Sequence, residues 1–394
     1  MGKRKIAIIN QRYGMEVNGG SEQYTRMIAE HLQKYYEVEV LTTCALDYDT
    51  WKNSYPEGIE IINGVRVRRF KVAKERKRNY FRVVNKIISN IRFQREKLEN
   101  YWIKEQGPYS PEAVTFIENN QEKYDVFIFV TYLYYLTAVG LPKVAEKSIL
   151  IPTAHDEPCI YFDIYKNIFT MPKGIVYLTE AEKRFVESQF PVKEKRNDVV
   201  AVGMEIPQAT DGKSFCEKYR IKEPYVIYVG RIDAGKNCGE LFKQFLTYKR
   251  KHKSSLKLVL LGKSFMEIPK NEDIISLGFV SEEDKYNGIA GAKGLIMPSE
   301  YESLSLVVLE AMALGVPVLV NGACSVLKDH CLRSRAGVTY SDESEFEKCI
   351  RMFEKEENGY AELKKNGPEY VQENYEWKSV EQKLVRFIES VIEG

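Results

Sequence analysis

Residues 297–321, MPSEYESLSLVVLEAMALGVPVLVN, read as turn, helix, turn, strand. The apolar run 294–297 predicts a buried strand tip, which Pro298, Ser299 and Glu300 bring to an end. A helix is predicted to start near Ser303 to Ser305, with a serine as its cap, since a hydroxyl there can accept from a first-turn N–H. Gly315 stands where a helix-ending residue takes positive φ, and Pro317 blocks continuation. Residues 316–320 then predict a buried strand. Between these ends Leu306, Val307, Val308, Leu309, Ala311, Met312, Ala313 and Leu314 are apolar on every side, the pattern of a helix buried all round.

Glu310 breaks that pattern, because a carboxylate in a buried helix needs a proton-donating partner. Glu302 lies eight positions earlier. At helical rise the two are about 12 Å apart, beyond the roughly 5–9.5 Å of a glycosidase carboxylate pair. The spacing instead fits two ends of one elongated ligand. Between them the free N–H groups of Leu304 to Leu306 favour an anion. Carboxylate, anion site, carboxylate matches sugar, diphosphate, ribose. The competing reading is an ordinary buried helix whose Glu310 pairs with a Lys or Arg.

Upstream, 225–229 predicts a strand, then Gly230-Arg-Ile-Asp-Ala-Gly-Lys-Asn237 a loop, with a helix from about Glu240. Arg231 and Lys236, five residues apart, can clamp a diphosphate at which the helix start points; the alternative is plain surface charge. A further strand is expected at 257–261, ahead of Gly262. After the central stretch helices are expected to run to Gly367.

The N-terminal half opens the same way: a strand at 5–10, a loop with Gly14, Gly19 and Gly20, and a helix at 21–32. Such a unit begins a doubly wound sheet whose ligand sits at the strand's C-terminal end. The G-x-G-x-x-G fingerprint is absent, which counts against a nicotinamide dehydrogenase. Gly19 and Gly20 also fit a tight turn that needs glycine for backbone reasons alone. Strands follow at 37–42, 65–70, 125–130, 148–151, 174–178 and 198–202, with Thr179 opening a capping box. The uncharged run 126–142 is short for a membrane span and reads as strand, turn and helix start. His155 and Asp156 follow the strand 148–151, where a side chain points into the ligand crevice, although a lone His is also a common structural residue.

Segment 71–104 is basic, with Val84, Ile87, Ile88 and Ile91 at helical spacing and Arg92 among its cations. It predicts an amphipathic helix. That helix either lies on an anionic membrane surface or packs its apolar stripe onto the N-terminal sheet.

At 394 residues the chain is too long for one core and fits two domains. Its 44% hydrophobic and 29% charged content is that of a globular protein, and a net charge of +2 makes no case for nucleic acid. Seven cysteines without C-x-x-C spacing predict free thiols in a reducing compartment, not disulfides or a zinc site. No signal peptide, myristoylation pattern, transmembrane segment or strand-end D-x-D metal motif is evident, so a metal-independent cytoplasmic protein is expected, peripheral at the inner membrane face if the basic segment meets lipid.

The E-x7-E spacing in PSEYESLSLVVLEAMALGVPVLV, with G-R-x-x-x-x-K at 230–236, resembles the signature of retaining glycosyltransferase family 4, of the α/β GT-B fold. The resemblance covers essentially the whole chain, specifically in its C-terminal half and weakly between 45 and 145. It implies two Rossmann-like doubly wound domains facing across a cleft: 1–204 for the acceptor and 205–374 for the nucleotide sugar, with a helix at 375–394 packing back on the first. It implies that Glu302 contacts the donor sugar and Glu310 the ribose. Gly230, Arg231 and Lys236 neutralise the leaving diphosphate together with the helix start at Ser303, Leu304, Ser305 and Leu306. Gly19 and Gly20 lie beside the phosphates and acceptor, His155 and Asp156 line the sugar pocket, and Phe279 and Val280 hold the base. One departure stands out: many members have Phe-Gly where Leu304 and Ser305 stand, and a side chain at 305 alters how closely the sugar approaches.

The implied activity is retaining transfer from a UDP- or GDP-linked sugar to a glycan or lipid-linked acceptor in cell-surface polysaccharide or glycoconjugate synthesis, with no cofactor. A nucleotide-sugar 2-epimerase shares the fold but lacks this pair of motifs. A non-catalytic glycan-binding or partner subunit tends to lose the clamp or the Glu pair.

Overall fold

The computed structural model describes residues 2–17, 19–90 and 95–394, without the side chains of residues 89 and 90. The chain divides into two compact units, Met1–Val202 with Lys378–Gly394, and Gly203–Trp377.

The first unit is built on an eight-stranded sheet. Its strands are β1 (Lys5–Ile9), β2 (Glu37–Thr43), β3 (Gly58–Ile62), β4 (Val65–Phe70), β5 (Val126–Val130), β6 (Ser148–Ile151), β7 (Gly174–Tyr177) and β8 (Arg196–Val199). Their order is β3-β4-β2-β1-β5-β6-β7-β8, parallel throughout except that β3 pairs antiparallel to β4. Every residue of β5 (VFIFV) and of β6 is buried, as expected where helices cover both faces of a parallel sheet. The strand order reverses direction between β1 and β5, the point at which a doubly wound sheet takes its ligand at the C-terminal strand ends.

The last helix, Trp377–Glu393, completes this unit. It buries Val380, Leu384, Phe387, Ile388 and Val391, and Gly174 leaves room for the Phe387 ring, which a Cβ would meet at 2.9 Å. Glu381 accepts from Lys34 Nζ at 2.7 Å and Tyr35 Oη at 3.0 Å, and Tyr36 Oη donates to Glu389 at 2.7 Å.

Segment 71–104 opens without helix, since residues 71–77 are non-helical. Its helical residues form Arg78–Asn90 and part of Arg95–Gln106, while Ile91 and Arg92 lie outside the described residues. The eighth strand lies at Arg196–Val199, earlier than the expected 198–202. Its residues alternate between exposed and half-buried as an edge strand does, and the apolar Val200 and Val202 are buried in the segment beyond it.

The second unit carries a six-stranded parallel sheet of β9 (Tyr225–Val229), β10 (Lys257–Leu261), β11 (Ile274–Gly278), β12 (Leu295–Met297), β13 (Val318–Asn321) and β14 (Gly337–Tyr340), ordered β11-β10-β9-β12-β13-β14. Here the reversal falls between β9 and β12. The expected all-helical run to Gly367 is interrupted by β14, and the helix Tyr360–Tyr375 continues through Gly367 and Pro368. Gly367 is needed there because a Cβ would collide with the Met312 carbonyl of the helix Leu306–Ala313.

Candidate functional site

Lys236 and Glu302 meet at the reversal point of the second sheet. The loop after β9 carries Gly230, Arg231 and Lys236, and the loop after the neighbouring strand β12 carries Glu302. Lys236 Nζ lies 2.6 Å from Glu302 Oε1, with both side chains largely buried. The Lys236 loop is tightly tied: Asp233 Oδ1 accepts from Lys236 N at 2.8 Å, and Arg231 Nε pairs with Asp233 Oδ2 at 2.6 Å. Tyr228 Oη donates to the Arg231 carbonyl at 2.6 Å. Each cation of the expected clamp therefore has a carboxylate beside it. Gly230 has φ +148° and donates from its N–H to Leu261 O at 2.9 Å, while a Cβ on Gly262 would overlap the Gly230 carbonyl. Glycine at 262 lets the ends of β9 and β10 approach.

The helix after Glu302 begins at Leu306, directly after the serine expected to cap it. Ser305 is its cap residue by position, but its hydroxyl makes no capping bond. The reason is its backbone: φ 63° and ψ 76° put Ser305 in the left-handed region, not the extended one from which a serine caps. Its Oγ is buried without a hydrogen-bond partner. Leu304 is buried beside it, and Ser303 and Leu306 are half-buried. His330, fully buried, donates from Nε2 to the Leu304 carbonyl at 2.9 Å.

Glu310 is buried, and its partners are Lys285 Nζ at 2.8 Å and Tyr286 Oη at 3.3 Å, both reaching Oε1. Burial raises the Glu310 pKa, with the Lys285 charge pulling against it. Burial lowers that of Lys285, but Glu310 and Glu282 outweigh this, so the ammonium stays charged. Lys285 and Tyr286 escaped the sequence reading. Only the need of Glu310 for a donor pointed to them. Phe279 and Val280 follow β11 directly; Phe279 is 71% exposed and Val280 half-buried.

In the first unit Gly19 precedes the helix Gly20–Leu32, in the loop that follows β1. Gly19 has φ +154°, and a Cβ there would strike the Glu22 carboxylate, whereas Gly20 has open space. Glu22 is itself buried against Arg12, with Nη2 to Oε1 at 2.6 Å. The loop after β6 holds His155, whose Nε2 is 3.4 Å from Glu157 Oε1, and Tyr132 Oη donates to that same oxygen at 2.6 Å. Burial raises the pKa of Glu157, but hydrogen bonding and charge from His155 carry it lower overall. Asp156 accepts from Tyr161 Oη at 2.5 Å. Glu182, in the helix Glu180–Gln189, ties this loop to the end of β7 by accepting from Ala154 N at 2.5 Å and Leu178 N at 2.6 Å. Burial pushes its carboxyl up to about 8. Glu157, Tyr132 and Glu182 were also missed; the carboxylates of Glu157 and Glu182, in or beside strand-end segments, were the available signal.

Among the described residues no group of three or more His, Cys, Asp or Glu side chains could hold a metal ion, and no helix is long and apolar enough to cross a membrane. All seven cysteines are free.

Residues 213–370 match the family described as glycosyl transferases group 1. An uncharacterized glycosyltransferase of Methanocaldococcus jannaschii is 23% identical over 353 residues, 82% of each chain. Sucrose-phosphate synthase from Thermosynechococcus elongatus superposes with a TM-score of 0.73 at 17% identity, over 99% of both chains. Anabaena HepE, solved with UDP and glucose, does so with a TM-score of 0.71 at 13% identity, over 98% of this chain and all of that one. At such identities the likeness is one of fold, and the fold is GT-B: α/β, with two Rossmann-like units built on largely parallel sheets.

Proposed function

We propose that this chain is a retaining, metal-independent glycosyltransferase that uses a nucleoside diphosphate sugar. The observation that carries this reading is the Lys236–Glu302 pair, 2.6 Å apart at the C-terminal ends of adjacent strands where the sheet reverses. A cation and an acid meeting there suit a donor that presents a diphosphate and a sugar together. The match of residues 213–370 to group 1 glycosyl transferases supports the same conclusion.

In this reading Lys236 and Arg231 stabilise negative charge on the departing diphosphate, with the first N–H groups of the helix Leu306–Ala313. Glu302 binds sugar hydroxyls. Glu310 takes the ribose through the oxygen that Lys285 and Tyr286 leave open. Phe279 and Val280 flank the base. In the first unit His155 and Asp156 line the sugar pocket, and Gly19 and Gly20 let a phosphate or acceptor approach the backbone. The bond from the anomeric carbon to the phosphate oxygen breaks, and the acceptor oxygen bonds to that carbon on the same face. The acceptor's proton passes to the leaving phosphate oxygen, so no side-chain nucleophile is needed.

UDP is the first donor base to test, because the Anabaena protein of the same fold was solved with UDP, and GDP is the second. Calorimetric titration of the chain with UDP and GDP, followed by product analysis with UDP- and GDP-sugars in EDTA, tests the reading. Binding of neither nucleotide sinks it. Inversion at the anomeric carbon, or loss of turnover in EDTA, sinks the retaining or the metal-independent part.

The acceptor is proposed to be a glycan or lipid-linked glycan of cell-surface polysaccharide or glycoconjugate synthesis, met at an anionic membrane. Supporting this, the helix Arg78–Asn90 exposes Tyr80, Val83 and Ile87 at 45%, 54% and 42% along one ridge. Arg82 and Lys86 flank that ridge. Co-sedimentation with phosphatidylglycerol vesicles, weakened by salt and absent with phosphatidylcholine, is expected. Equal indifference to both lipids removes the membrane from the proposal.

A further inference from the structure

Ser305 is not glycine, yet it sits at φ 63° where glycine is favoured. A non-glycine residue persists there only if its surroundings hold it. What holds it is visible one residue earlier. The Leu304 carbonyl accepts a bond from His330 Nε2, 2.9 Å away, from the helix Ser325–Ser334. A carbonyl can only accept, so Nε2 carries the proton. Burial lowers the His330 pKa to about 4, so the ring is neutral near pH 7 and Nδ1 must be an acceptor. It finds Tyr370 Oη at 3.1 Å, and Tyr375 Oη lies 3.3 Å from Tyr370 Oη. The result is a hydrogen-bonded chain: Nδ1 faces the hydroxyls of Tyr370 at 3.1 Å and Tyr375 at 3.5 Å, and Nε2 donates to the Leu304 carbonyl.

This chain reaches beyond the turn. Tyr375 ends the helix Tyr360–Tyr375, and its own carbonyl accepts from Met204 N at 2.8 Å. The turn bearing Glu302 is thus fastened to the segments at both ends of the second unit. The bonds all lie among buried side chains, where water cannot substitute for a lost partner.

We propose that His330 is a positioning residue: it latches the 302–305 turn, keeping Ser305 left-handed and Glu302 opposite Lys236. This rests on the reading that this turn receives the nucleotide sugar. His330 touches no donor. It acts through the Leu304 carbonyl, and a glycine at 305 makes the latch dispensable.

The test is hydrogen exchange of the peptide covering 299–308 in the full chain, together with UDP and GDP titration. His330→Phe removes the donor and is expected to speed exchange of that peptide by about tenfold or more, with little change in the core strands. His330→Gln retains an N–H that can reach Leu304 and should stay within about threefold of wild type in exchange and nucleotide affinity. Ser305→Gly placed on His330→Phe should restore nucleotide affinity without restoring the lost bond. Should His330→Phe fail to fold, Tyr370→Phe, which removes the nearer of the two hydroxyls at Nδ1, is expected to speed exchange of the same peptide to a smaller degree. Unchanged exchange at 299–308 in every folded variant overturns the latch, as does a His330→Gln variant as loosened as His330→Phe. If wild type binds neither nucleotide, the proposed function fails while the exchange data still judge the latch.

Discussion

Lys236 and Glu302, carried by loops that leave neighbouring strands of one sheet, form an ion pair of 2.6 Å with both side chains mostly shielded from water. Under the proposed function, a diphosphate would offer Lys236 a second anion and a sugar hydroxyl would offer Glu302 a neutral partner.

Lys236→Ala is expected to lower kcat/KM by about a hundredfold to a thousandfold, the scale of losing one transition-state charge contact. Glu302→Gln should cost a similar factor, and the double variant little more than either alone, because the two act as a unit. Steady-state kinetics on the three proteins checks this. Additive losses would mean that the residues work independently.

Ser305→Gly should stabilise the protein. The left-handed backbone costs a non-glycine residue about 1–2 kcal/mol, and glycine escapes most of that. Removing the buried Oγ, which has no hydrogen-bond partner, acts in the same direction. A melting temperature higher by about 2–4 °C is expected. A lower one would show that the serine hydroxyl contributes something the free chain does not reveal.

His330 should give acid sensitivity of defined sign. Its pKa is lowered to about 4 in the folded chain by burial, partly offset by the Leu304 carbonyl and Asp329, while Arg333 adds to the lowering. Between that value and the ordinary histidine pKa of about 6.5 the unfolded chain binds a proton that the folded one does not. The neutral ring's contribution is therefore complete above about pH 6.5. It fades as pH falls toward 4, by on the order of 1.4 kcal/mol per pH unit. In denaturant melts across that range, wild type should lose stability relative to His330→Gln as pH drops. Parallel curves would remove His330 as the titrating group.

Gly19 and Gly20 should separate cleanly. Gly19→Ala places a methyl group on the carboxylate of Glu22 and disturbs its buried pair with Arg12, so a loss of about 3 kcal/mol or more is expected. Gly20→Ala meets nothing within 4 Å and should stay within about 0.5 kcal/mol of wild type. Urea melts measure both. If Gly20→Ala keeps its stability but loses nucleotide or acceptor binding, that glycine serves a ligand and not the turn.

The α/β class could be read from the chain because central strands such as β6, β9 and β10 are mostly apolar runs, and they begin and end at the bounds expected from the sequence. The strands that escaped notice, β3, β11 and β14, are edge strands. One side of an edge strand faces solvent or loops, so its pattern blurs, and β3 even exposes Ile59 and Ile61. The site was legible where chemistry sits in one loop, as with Lys236. It was illegible where partners come from separate elements: Lys285 lies 25 residues before Glu310, and His330 binds a backbone carbonyl 26 residues away. No side-chain pattern records a bond to a carbonyl. The missing cap bond had a similar cause, since the left-handed backbone at Ser305 leaves no trace in residue type.

The helix Trp377–Glu393 supplies the first unit with Leu384, Phe387 and Ile388, although 175 residues of the other unit are made in between. On the ribosome, at about 5–20 residues per second, the early strands must wait many seconds for their final cover. The unit translated second is therefore the one free to finish folding first. Chaperones would then meet the N-terminal half as an incomplete body whose closing piece is still inside the exit tunnel.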